Sequence, residues 1–132
     1  MSDLVQWLGE QLDEEERIAR AATRGPWVQS GVGDYGWTVD FGHPGSSVET
    51  ADTEQGLADA DFIAAHNPAR VLREIDADRA LLGDYMAARE IVDAAACPDM
   101  YDVGRAQGLE DAVRRRAAAF DQRPGYREEW RP

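Results

Sequence analysis

The sequence predicts an α+β fold, and three observations carry that prediction. Apolar residues recur at helical spacing before Pro26 and again after Thr50, while the segment between them turns to glycine, aromatic and β-branched residues at strand period. At 132 residues the chain has the size of one ordinary domain, able to bury roughly two-thirds of the surface its unfolded form exposes. A hydrophobic fraction of 43% beside 30% charged residues is that of a folded chain with a core.

From Asp3 to Arg24, Leu4, Leu8, Leu12, Ile18, Ala19 and Ala22 recur mostly every three or four residues, with Asp13, Glu14, Glu15 and Glu16 crowding the middle. This is an amphipathic helix with a solvated acidic flank. Asp3 is placed to cap it, and Gly25-Pro26 to stop it. Trp37, Val39 and Phe41 alternate with Thr38 and Asp40, the best strand pattern in the chain. Trp27-Val28-Gln29 reads as its hairpin partner across Gly31 to Gly36, and Ser47-Val48-Glu49 as a third strand after the His43-Pro44-Gly45 turn. The result is a small antiparallel meander. Asp52 or Thr53 caps a short helix carrying Leu57, Ala60, Phe62, Ile63 and Ala64, which ends before Pro68. Asn67 as N-cap and Pro68 at the first helical position open a long helix to about Ala95, with Val71, Leu72, Ile75, Leu82, Tyr85, Met86 and Val92 inward. Cys97-Pro98 breaks it. A polar connection from Asp99 to Gln107 precedes a last helix whose stripe is Leu109, Val113, Ala117 and Phe120. Residues 1–122 read as a single α+β domain and 123–132 as a polar and aromatic C-terminal tail. The expected core is Trp37, Val39, Phe41, Val71, Leu72, Ile75 and Leu82.

Against 26 acidic residues stand 14 basic ones, all arginine, for a net charge of −12. An anionic chain repels nucleic-acid phosphate and anionic lipid, so direct nucleic-acid binding is disfavoured and a basic protein, peptide or cation is the better-matched partner. Solubility alone is the plainer account of the acidity. The absence of lysine, with abundant Ala, Arg, Asp and Gly, points to a GC-rich coding sequence. Cys97 is the single cysteine, which leaves neither an intrachain disulfide nor a multi-thiolate zinc site. The N-terminus lacks the cationic and apolar regions of a signal peptide, and no stretch has the length to span a bilayer. The expectation is a cytoplasmic protein with no membrane partner.

Chemistry-bearing motifs are sparse. Gly31, Gly33 and Gly36 are followed by a strand, whereas a dinucleotide fingerprint requires a helix there. His43 fits a turn, His66 a helix–helix junction, and Cys97 lies beside Asp99 with no nearby cation to favour a thiolate. The pairs Asp59 with Asp61 and Asp76 with Asp78 are what an acidic composition produces. Arg114, Arg115 and Arg116 point around a helix in different directions and suit intramolecular acidic partners. No catalytic residue, cofactor or metal ligand emerges. Tyr126 and Trp130, in the polar tail, are the candidate interaction residues, exposed for recognition or clasping the domain or another chain.

The stretches Asp3 to Leu8, Glu15 to Ala22, Gly25-Pro26-Trp27, Asp61 to Ile75 and Gly125 to Pro132 together resemble an uncharacterised family of small actinobacterial and actinophage proteins. The resemblance implies organisation and a small accessory or host-interaction role, and no activity. Some relatives carry extra cysteines and histidines between the long helix and the tail, suggesting a metal knuckle. This chain keeps only Cys97 there.

Three readings follow. The first is a non-enzymatic interaction module that meets a protein partner or a second copy of itself. Its sharper form is an acidic nucleic-acid mimic or immunity-type inhibitor, which demands carboxylates regularly spaced on one face. The third is a small enzyme, which demands a pocket gathering His66 or Cys97 with Asp or Glu, or a metal-binding protein using His66, Cys97 and carboxylates.

Overall fold

A computed structural model describes residues 2–132 and has the α+β architecture expected. Helix α1 (Ser2–Ala21) leads into strands β1 (Val28–Val32), β2 (Trp37–His43) and β3 (Ser46–Glu49). Helices α2 (Glu54–Ala65), α3 (Pro68–Ala94) and α4 (Met100–Ala118) follow, then a 3-10 turn at Glu128–Trp130. The chain divides into two compact units, one of Met1–Glu14 with Ile75–Pro132 and the other of Glu15–Glu74.

The second unit holds the meander and α2, with the end of α1 and the start of α3. Its strands lie in the order β1-β2-β3, both pairs antiparallel, with Val39 opposite Gln29 on one side and Val48 on the other. Val39 and Ala60 are fully buried, which seats the central strand on α2. The link Thr50 to Thr53 staples the two together. Thr50 N–H donates to the Trp37 carbonyl at 2.8 Å, the Thr50 hydroxyl to the Gly56 carbonyl at 2.6 Å, and the Trp37 indole N–H to the Thr53 carbonyl at 3.1 Å. Gly56 is buried in the first turns of α2 because a Cβ there would overlap the backbone carbonyl of Ala51. Thr53 caps α2, its hydroxyl accepting from Gly56 N–H at 2.9 Å. Asn67 caps α3 as expected, its side-chain oxygen accepting from Arg70 N–H at 3.0 Å.

The first unit is built from the buried stripes of α1, α3 and α4. Leu4, Leu8 and Leu12 come from α1, Ile75, Leu82, Tyr85 and Ala88 from α3, and Ala106, Val113 and Ala117 from α4. Ion pairs run between the helices, Arg79 to Asp13 at 2.8 Å and Arg116 to Asp78 at 2.8 Å. The second of these gives one member of the arginine triplet the intramolecular partner expected of it.

Several expectations are corrected. Asp3 lies in the first turn of α1 instead of capping it; there it suits the helix dipole and pairs with Arg127 at 3.1 Å. The helix stops at Ala21, before Arg24: Gly25 stands at φ +117° and Pro26 has no N–H to give the ladder, and beyond the helix end the Thr23 carbonyl accepts the Trp27 indole N–H at 3.0 Å. Ile18 and Met86, read as inward, are half exposed, Met86 at 53%. Of the expected core, Val39, Ile75 and Leu82 are buried, whereas Trp37, Phe41, Val71 and Leu72 are half-buried. The polar connection from Asp99 to Gln107 is helix: Asp99 accepts from Tyr101 N–H at 2.7 Å and caps α4, and Ala106 is buried. Gly104 and Gly108 depress intrinsic helix propensity there, and burial of one face overrides it.

Candidate functional site

Tyr126 and Trp130 are not the exposed rings that a polar tail implies. Trp130 is only 5% exposed and Tyr126 is half-buried, because Trp7 of α1 receives both. The ring centroids of Trp7 lie 5.6 Å from Tyr126 and 5.5 Å from Trp130, and those two are 5.9 Å apart at nearly right angles. Such tilted and edge-on pairs are favourable beyond the area they bury. The Trp7 indole N–H donates to the Pro124 carbonyl at 3.0 Å. Gly125, at φ +89°, brings the chain so close that a Cβ would sit 2.8 Å from the Trp7 indole nitrogen. Arginines close the outside: Arg127 lies 5.3 Å over the Trp130 ring and Arg131 lies 5.4 Å over Tyr126. Arg131 also donates to Glu128 at 2.7 Å and Asp121 at 3.2 Å, holding the Glu128 carboxyl below the usual carboxylate range. This cluster is a clasp within the first unit. Trp7 was absent from the stripe read in the sequence, although Leu4, Trp7, Leu8 and Leu12 carry the three- and four-residue spacing that would have found it.

The open surface of the same unit is a groove beside the start of α1 and the end of α3, with a volume near 780 Å³. Val5, Met86 and Ala94 make its apolar wall and Tyr85 its base. Arg89 and Asp93 pair at 2.8 Å, and Glu90 completes the polar edge. Tyr85 is 1% exposed, and among the described residues its hydroxyl has no hydrogen-bond partner. Burial, reinforced by the charge of Glu110 and opposed by Arg89 and Arg114, pushes its phenol above the ordinary range.

The other residues weighed in the sequence have local explanations. His66 terminates α2, its Nδ1 2.8 Å from the Phe62 carbonyl and its ring stacked on Phe62 at 4.0 Å. His43 ends β2. Cys97 is an exposed thiol in the α3–α4 connection. Neither His66 nor Cys97 lines the groove. Asp61 accepts from Gln29 at 3.4 Å, Asp59 from Gln55 at 3.0 Å, and Asp78 is held by Arg116. Among the described residues no three His, Cys, Asp or Glu side chains converge as a metal site. Among the same residues no helix is long and apolar enough to cross a membrane.

A model of a family of unknown function (DUF6221) matches residues 1–132, so the chain belongs to that family along its whole length. No curated protein and no solved structure matches it.

Proposed function

We propose that this member of a family of unknown function is a cytoplasmic, non-enzymatic interaction module whose groove beside α1 and α3 receives a basic amphipathic helix of a partner protein. The observation that carries this reading is the groove itself: Met86 stands half exposed on an apolar wall whose base is the buried Tyr85. An unbranched thioether adapts to differently shaped apolar side chains, which is why methionine recurs in grooves that accept helices. A volume near 780 Å³ accommodates several such side chains. The charge of the occupant follows from the net −12 of the chain, which steers cationic partners and repels anionic ones. The likeness to actinobacterial and phage proteins supports an accessory or host-interaction setting.

The nucleic-acid mimic demands carboxylates regularly spaced on one face, and no observation favours it over the groove. Here Asp3, Asp13, Glu74, Asp78, Asp93 and Asp121 are each tied to an arginine of the same chain.

A photo-crosslinking residue at Met86, compared with one at the exposed Tyr35 of the second unit, tests the reading in lysate of the producing cell illuminated at low and at high salt. A protein joined at Met86 but not at Tyr35, crosslinked through a basic helical segment and lost at high salt, supports it. Crosslinks to a second copy would replace the partner with self-association, and equal yields at both sites would remove the groove from consideration.

A further inference from the structure

A second recess lies wholly within the other unit, and its chemistry is opposite to that of the surface around it. It has a volume near 610 Å³, and its lining includes Arg20, Arg24 and Arg73 but no carboxylate. In a chain with 26 acidic and 14 basic residues, three guanidiniums around one recess depart from the composition. Arg20 pairs with Glu16 at 3.0 Å. Among the described residues neither Arg24 nor Arg73 has a carboxylate partner, which leaves both guanidiniums open to a ligand.

The inner lining is apolar. Pro68 is buried, Leu72 is half-buried, and Trp27 lines the recess with its ring 4.4 Å from Phe41. The Trp27 indole N–H is already spent on the Thr23 carbonyl, so the ring offers hydrocarbon and π surface in a fixed position. The recess is therefore lined by cations together with apolar surface. A planar guanidinium fork matches the two oxygens of a carboxylate or phosphate, and two such forks lining one recess match a group with several acceptor oxygens.

We infer that this recess binds a small amphiphilic organic anion, its carboxylate or phosphate held by Arg24 and Arg73 and its planar or aliphatic body laid against Trp27 and Leu72. The size is that of a small-molecule site, and the arginine lining lets an acidic protein accept an anion that its net charge repels.

The test is a proton–nitrogen NMR titration of the full chain, reading the Trp27 indole and the arginine Nε–H resonances. The probes are naphthyl phosphate and naphthoate, with neutral naphthalenemethanol and inorganic phosphate as partial ligands. Saturable shifts at Trp27, Arg24 and Arg73 with either naphthyl anion, at least about tenfold tighter than with the neutral analogue or phosphate alone, are expected. Saturation by naphthoate and not naphthyl phosphate, or the reverse, names the head group. Arg24→Ala with Arg73→Ala should weaken binding by about tenfold or more, while Arg105→Ala with Arg115→Ala, which changes net charge equally in the other unit, should not. Both pairs are exposed, and retained spectral dispersion verifies folding. No saturation below about 10 mM, equal affinity for the neutral probe or phosphate alone, or equal losses in the two double variants would each overturn the inference.

Discussion

Replacing Trp130 by alanine removes the ring that closes the clasp on Trp7. A tryptophan buries roughly 150–250 Å² of surface, which at about 25 cal/mol per Å² corresponds to about 4–6 kcal/mol. That figure refers to an extended unfolded chain, and a realistic denatured ensemble lowers it by roughly a quarter. The expected destabilisation is about 3–4 kcal/mol, in line with other buried aromatic truncations. Measured against a typical total of about 5–15 kcal/mol, this is a large fraction. With a urea slope of about 1–3 kcal/mol per molar, the midpoint should fall by roughly 1–4 M. The assay is equilibrium urea unfolding followed by far-ultraviolet circular dichroism. Tyr35→Ala serves as control, because Tyr35 is 86% exposed and should change stability by less than about 0.5 kcal/mol. A Trp130→Ala loss as small as the control's would refute the clasp and return the last ten residues to the status of a detached tail.

Tyr85→Phe deletes a buried hydroxyl that has no partner, so it should leave stability unchanged or raise it by up to about 1 kcal/mol; a clear loss would reveal a bond that the orphaned atom makes. The same variant tests the alkaline limb. Tyr85 has a folded-state pKa raised above its unfolded value near 10, so its contribution is intact below about pH 10 and declines as pH climbs through the folded value. Denaturation midpoints should therefore fall more steeply above pH 10 in the parent than in Tyr85→Phe, and parallel profiles would contradict the burial. Gly56→Ala forces a methyl into the Ala51 carbonyl and should cost about 1–3 kcal/mol or more in thermal unfolding. Gly83→Ala, in α3 with nothing within 4 Å of its Cβ position, should instead stabilise by about 0.5–1 kcal/mol.

Element type and order were written in local residue patterns. The alternation of Trp37, Val39 and Phe41, the Thr53 and Asn67 caps, and the leucine spacing of α1 each act over a few residues, and each predicted its element. The start of α4 was less legible, since Gly104 and Gly108 argue against helix locally and burial of Ala106 decides for it. The fate of Tyr126 and Trp130 was not local at all. Whether an aromatic ring in a polar segment faces solvent or a core depends on what stands across from it, and that is Trp7, more than a hundred residues away in the chain. The same holds for the two recesses. Arg24 and Arg73 are ordinary arginines in sequence, and only folding brings them to the lining of one recess. Met86 fell on an inward stripe by periodicity, yet the groove leaves it half exposed. By itself the sequence determined the α+β class, the helices and strands and the acidic charge, because propensity, capping and periodicity are short-range. Only the tertiary structure decided which aromatics are core and which cations share a pocket, because those depend on contacts between distant residues that no local pattern encodes.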